Sequence, residues 1–244
     1  MDRLMAKGLK PKTINCHLGR ISQFYHYLIQ EQDIKLPNPV KNGLRQRMAK
    51  PLPRHLEDHE IDLLFGTIDN PRDRAIFMLM LRCGLRVSEV AGLSLADIDP
   101  VRQRLTIHEG KWRKDRVVCI SDDALGALAD YLKIRPDAPT QKLFLVQKGT
   151  YRDLALSVRG IQKRMEYYAK KTGLNISCHH LRHTMATQML NADAELESIQ
   201  DLLGHTWITT TQRYCHVSNQ KVERDYHRAM DKVMKKTKQN HFPP

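Results

Sequence analysis

Four short stretches of this chain hold residues that could act together on a phosphate ester. The first is Gly84-Leu-Arg-Val-Ser-Glu-Val90, which puts Arg86 just past a glycine that ends a helical pattern. The second is Lys111, inside the polar segment Gly110-Lys-Trp-Arg-Lys-Asp115. His179-His-Leu-Arg-His183 is the third, and Leu202-Leu-Gly-His-Thr206 the fourth, with Tyr214 following nine residues after His205. Attack on a phosphodiester builds negative charge on its non-bridging oxygens. Arg86 and Arg182 can each offer two parallel N–H donors to such a group, and losing one comparable preorganised donor costs on the order of 10²–10³ in rate. Arg182 lies in a row with Leu181 and Met185, on a helix that should be buried, so its charge needs a partner.

A tyrosine can serve as nucleophile, but a free phenol has a pKa near 10 and needs a positive field and a base beside it. By residue type alone Tyr167, Tyr168 and Tyr226 compete with Tyr214, and an amphipathic core role fits any of them. A lysine could protonate the departing oxygen, a contribution of roughly 10²–10⁴-fold. Lys111 and Lys114 both qualify, although lysines at hairpin tips are more often merely solvated. A metal site is the competing chemistry: His179 and His183 are four residues apart on one helix face, next to Cys178. The glutamate of a His-Glu-x-x-His motif is absent and no third ligand is spaced to join them, so the expectation is chemistry without metal or other cofactor.

The elements that must hold these residues can be read from periodicity. Ile14, Leu18, Ile21, Tyr25 and Leu28 predict an amphipathic helix over 12–31, with Thr13 as a possible cap. A short helix is expected at 57–68, and a second at 71–83 that is apolar nearly all round and so buried. A further turn covers 87–93. Leu105 to His108 and Arg116 to Ile120 are β-rich and flank the basic segment, which predicts a hairpin with an exposed tip. Helices follow at 122–134, 157–171, 180–191, 195–203 and 218–236, with a short strand over 143–146. The fold class is therefore mainly α with a small β-hairpin or sheet.

Composition narrows the partner. The net charge is +13, distributed unevenly: residues 1–54 hold 11 Lys/Arg against 3 Asp/Glu, residues 221–244 hold 7 against 3, and the middle is nearly neutral. Basic ends around a neutral centre suggest a polyanion gripped at the periphery. Lys10, Lys12, Arg20, Arg45 and Arg47, with Arg113 and Lys114 at the hairpin tip, are the contact candidates. The longest apolar run, Ala75 to Leu81, is far short of the roughly 20 residues a membrane span needs, and the N-terminus carries no apolar signal region. Five scattered cysteines without a Cys-x-x-Cys pair predict reduced thiols and a cytoplasmic protein.

The four stretches, in this order and at these intervals, resemble the tyrosine recombinases of the phage integrase type. Cys83-Gly-Leu-Arg-Val-Ser-Glu-Val-Ala-Gly-Leu93 is similar to their first arginine box. His179-x-x-Arg182, Leu203-Gly-His205 and Tyr214 are similar to the second, and Glu109 to Val118 resembles the strand pair bearing their catalytic lysine. The likeness covers roughly residues 10 to 230. It implies Tyr214 as nucleophile, Arg86 and Arg182 on the phosphate, His179 as base, His205 as a further donor and Lys111 as general acid. Glu89 would orient Arg86, and His183 would support by hydrogen bonding or packing. Two positions depart from the family: Cys178 stands where proline is common, and Trp112 where glycine is.

The resemblance implies a tyrosine-recombinase catalytic domain at 51–244, preceded by a short helical core-DNA-binding module at 1–50. A basic, proline-punctuated linker at 45–55 would join them. It also implies double-stranded DNA as partner, a 3′-phosphotyrosyl intermediate and self-association to a tetramer on two DNA sites. Val222, Tyr226, Ala229, Met230 and Val233 give the 218–236 helix one apolar face, which would pack on its own domain or dock on a neighbouring protomer. A type IB topoisomerase-like enzyme and a non-catalytic DNA-binding protein on the same scaffold are the alternatives.

Overall fold

The structure, a computed structural model, describes residues 5–41, 43–48, 54–108, 115–204, 211, 224, 226–227 and 230. The hairpin tip with Lys111, Arg113 and Lys114 lies outside the described residues, as do His205, Tyr214 and most of the 218–236 segment. The chain divides into two compact units, Met1–Pro51 and Leu52–Pro244.

In the first unit, helix α1 (Pro11–Gln30) begins on a proline whose missing N–H and fixed φ suit a first turn. Lys10, not Thr13, occupies the cap position, without a side-chain bond. Ile14 and Leu18 are buried beneath the helix. The Asn15 side chain donates to the Gln46 carbonyl and accepts from the Gln46 N–H, holding the following segment against it.

The second unit runs through α2 (Asp58–Thr67), α3 (Pro71–Arg82), α4 (Val87–Gly92), a 3₁₀ turn at Leu95–Asp97, and strands β1 (Ile98–Asp99), β2 (Arg104–Ile107) and β3 (Arg116–Cys119). Helices α5 (Asp122–Ile134), α6 (Val158–Thr172), α7 (Cys178–Asn191) and α8 (Leu196–Leu203) follow. The strands form one antiparallel sheet in the order β1-β2-β3, with Leu105 facing Val118 and Ile107 facing Arg116 across the hairpin. The strand expected over 143–146 is not formed. That stretch makes one isolated bridge, Leu145 with Ala155, beside that of Lys142 with Ser94, because its backbone bonds are taken by loops at Leu93 and Leu154.

Helix α3 is the spine of this unit, packed against α5 and α7, with Ala75 through Leu81 all buried. It also carries a charge into the core. Asp73 is fully buried, and its two oxygens accept from Arg72 (2.7 Å) and from Arg164 on α6 (2.6 Å). The Tyr168 hydroxyl donates to the same carboxylate. Burial, with the Asp73 charge beside it, pushes the Tyr168 phenol up to about 12, so it stays a neutral donor. Removing one member of a buried ion pair costs about 3–5 kcal/mol, because the other charges are left uncompensated. Asp73→Ala should therefore lower the unfolding free energy by about that much, read from urea denaturation. An unchanged midpoint would mean that water replaces the carboxylate without penalty.

Candidate functional site

Two glycines make the turns on which the site is built. Gly84 follows α3 with φ +63°, a left-handed conformation that favours glycine, and a Cβ there would lie 2.9 Å from Leu203 and 3.2 Å from Met185. The chain thus turns tightly over α7 and α8 and delivers Arg86 two residues later. Gly204 closes α8 with φ +57°, and a Cβ there would meet the Arg116 side chain at 3.2 Å. Neither position accepts a side chain without strain.

Arginines converge on these turns. Arg182, on the buried face of α7 and 1% exposed, donates to the Gly84 carbonyl at 2.5 Å and to the Leu203 carbonyl. Its burial among apolar neighbours is therefore matched by partners, as the sequence requires. Arg86 donates to the Gly204 carbonyl at 3.2 Å and to Glu89 at 2.7 Å. Glu89 lies one turn into α4 and also accepts the Arg86 backbone N–H at 2.8 Å, capping that helix. The arrangement brings together Arg86, Glu89, Arg182 and the helix end whose next residue in sequence is His205.

A further residue, which sequence reasoning missed, belongs to this cluster. Arg116, the first residue of β3, holds both Glu89 oxygens at 2.9 and 2.8 Å and donates through Nε to the Leu202 carbonyl at 3.1 Å. In the sequence Arg116 is one of several basic residues around the hairpin. Only the strand register, which sets it opposite Ile107 at the hairpin base, singles it out. Burial alone would raise the Glu89 carboxyl. The Arg116 fork, the Arg86 N–H and the two guanidinium charges outweigh burial and hold it down at about 2.

The histidines lie on the neighbouring face. His179 is exposed in the first turn of α7, His183 is half-buried one turn on, and their rings meet edge to face with centroids 4.2 Å apart. Cys178 is buried, which raises its thiol to about 11. Among the described residues no group of three His, Cys, Asp or Glu side chains is placed to hold a metal ion.

At the hairpin base His108 bridges Asp115 (2.8 Å) and Asp97 (3.4 Å), on either side of the segment that contains Lys111. Of the competing tyrosines, Tyr168 is consumed in the Asp73 network, while Tyr167 is half exposed beneath the Arg164 guanidinium. Tyr226 is exposed.

Lys10, Lys12, Arg20, Arg45 and Arg47 are all exposed on the first unit. Arg20 and Arg45 line one shallow cleft there with Gln23 and His26. A cleft of about 770 Å³ elsewhere is lined by Arg72, Lys148, Lys163 and Arg164, and shares no residue with the arginine cluster. Two of its four cations, Arg72 and Arg164, are already paired with Asp73, so it reads as the mouth of that core ion cluster.

Known proteins resemble the chain across most of its length. The phage integrase family model matches residues 54–221. The tyrosine recombinase XerC of Shewanella amazonensis is 34% identical over 247 aligned positions, spanning 97% of this chain and 80% of that protein. The tyrosine recombinase XerA of Pyrococcus horikoshii is 32% identical, spanning 89% and 74%. The crystal structure of a XerA recombinase matches with a TM-score of 0.65 at 25% identity, over 93% of this chain and 78% of that one. The Tn1549 transposon integrase bound to a circular intermediate DNA gives a TM-score of 0.74 over 87% and 77%; at 20% identity this is a likeness of fold.

The Glu89 carboxylate makes stability depend on acid. Its folded pKa of about 2 lies below the ordinary 4.5, so its contribution is fully present above about 4.5 and is lost as the pH falls towards 2. Urea unfolding across that window should show wild type losing stability relative to Glu89→Gln. A difference that stays constant with pH would contradict the ion-pair account.

Proposed function

The chain belongs to the phage integrase family of tyrosine recombinases, and from that premise we propose that it cuts and rejoins duplex DNA at specific sites through Tyr214. The observation that carries this reading is the convergence of Arg86 and Arg182 on the turns at Gly84 and Gly204. These are two forked cations held by buried carbonyls and one carboxylate, an environment in which a phosphate's developing charge is met by donors already in place. The similarity runs past Tyr214 and is to recombinases, so neither the topoisomerase-like nor the non-catalytic reading is favoured.

The Tyr214 oxygen attacks the scissile phosphorus and passes its proton to His179. Arg86, Arg182 and His205 hold the non-bridging oxygens. The bond to the 5′ oxygen breaks, and Lys111 (with Lys114 the competing donor) supplies the proton that makes it a hydroxyl. The product is a 3′-phosphotyrosyl ester, and a 5′ hydroxyl from a second strand reverses the step. Bond energy is kept in the ester, so no ATP is needed, and the arginines and lysine supply the electrostatics that metal ions supply in other phosphoryl transfers.

The exposed N-terminal cations Lys10, Lys12, Arg20, Arg45 and Arg47, with Arg113 and Lys114, would neutralise DNA phosphates along the flanks. Residues 1–50 serve as the clamping module and 51–244 as the catalytic domain, acting in the cytoplasm. Four protomers would assemble on two DNA sites, coupled through the 218–236 segment.

A nicked suicide duplex, selected from a randomised pool by covalent capture on the wild-type protein, tests the chemistry. Tyr214→Phe should abolish the covalent adduct and leave duplex binding intact, with wild-type capture undiminished in EDTA. An adduct that persists in Tyr214→Phe would move the nucleophile to another tyrosine, and capture lost in chelator but restored by zinc would favour the His179/His183 metal reading. Deleting residues 218–244 should leave single-site binding near wild type and remove the tetrameric complex on native gels. Assembly and strand exchange by the shortened protein would show that the tail is not the coupling element.

A further inference from the structure

Arg116 has a geometry out of proportion to a surface strand residue. One guanidinium makes three hydrogen bonds, two to Glu89 and one to Leu202, while its stem lies against Gly204. Its side chain is 12% exposed and that of Glu89 is 8%, so these bonds are made largely out of water. The same Glu89 oxygen that accepts from Arg116 Nη1 at 2.9 Å accepts from Arg86 Nη1 at 2.7 Å. One carboxylate is therefore shared by two cations, and the trio keeps a net positive charge. Without Arg116, Glu89 is free to close with both oxygens on Arg86, turning its donors away and cancelling its charge. The planar fork that holds two carboxylate oxygens at once is a property of arginine and not of lysine.

We propose that Arg116 is a positioning residue for strand cleavage: by sharing Glu89 it keeps Arg86 aimed and charged for the scissile phosphate, and through Leu202 it ties the base of the Lys111 hairpin to the helix end before His205. This inference rests on the recombinase reading above and extends it to a residue outside the motif set.

The test uses the full chain and the covalently captured suicide duplex, in two forms: the ordinary phosphodiester, and one with a neutral methylphosphonate at the cleavage position. A donor misplaced by about 1 Å can cost on the order of 10²-fold in rate. Arg116→Met, which keeps the stem and removes the fork, should slow adduct formation on the phosphodiester by about that factor while retaining duplex affinity. On the methylphosphonate, which has less charge to stabilise, the defect should shrink, as the Arg86→Ala defect should. Arg116→Lys should recover part of the rate.

Cleavage by Arg116→Met at the wild-type rate would overturn the proposal. An equal slowing on both duplexes would also overturn it, since a merely structural role is blind to the charge of the phosphate. Should Arg116→Met not fold, Arg116→Lys carries the same two-duplex comparison with a smaller expected slowing. A wild-type protein that captures no duplex defeats the recombinase reading, and this proposal with it. Normal wild-type capture matched by the variant defeats the proposal alone.

Discussion

The carbonyls of Leu202, Leu203 and Gly204, at the C-terminal end of α8, accept hydrogen bonds from Arg116, Arg182 and Arg86 respectively. A helix end leaves its last carbonyls unpaired and carries a partial negative charge, so cations are its natural complement. Here the complement is supplied from three separate places in the chain: the turn after α3, the start of β3 and the buried face of α7. One hydrogen-bonded junction fixes their relative positions. The Gly84 turn, the hairpin base and the approach to His205 all depend on it.

The junction also explains how charge is tolerated at this depth. Arg182 is almost wholly buried, and the backbone carbonyls of Gly84 and Leu203 accept from its guanidinium. Arg86 and Arg116 divide one carboxylate between them. The Asp73 network has the same balance of two arginines to one carboxylate, but there the carboxylate is buried completely, under both arginines and a tyrosine hydroxyl. The first arrangement leaves positive charge in excess, as phosphate chemistry demands. The second locks α3 to α6, and so holds still the helix that leads into Gly84.

Much of this was legible in the sequence, and the rest was not, for definable reasons. The described helices of the second unit are strongly periodic or bounded by Asn70-Pro71, Gly173 and Gly204, so their spans were readable to within a residue or two. Arg182 announced its need for partners by sitting between Leu181 and Met185. What could not be read was anything set by register or by long-range pairing. The role of Arg116 depends on which residue of the hairpin lies at its base, and Asp73 looks like an ordinary first-turn acid until Arg164, 91 residues away, is brought to it. The apolar run at 143–146 has the composition of a strand, yet loops claim its hydrogen bonds. The two-residue strand β1 is too short to leave a pattern.

Helix α8 has only eight residues, but its far end must present three successive carbonyls to three fixed arginines. Adding or removing one residue within it would rotate that end by about 100° and shift it by about 1.5 Å along its axis. All three carbonyls would then leave their donors together. The stretch 196–203 is accordingly one where length is constrained more tightly than composition. Point replacements on its outer face change little, whereas a single-codon insertion or deletion would disconnect Arg86, Arg116 and Arg182 in one step. The turn at 148–153, whose residues contribute nothing to the junction, has no such constraint, and natural variation in length within this fold should collect there.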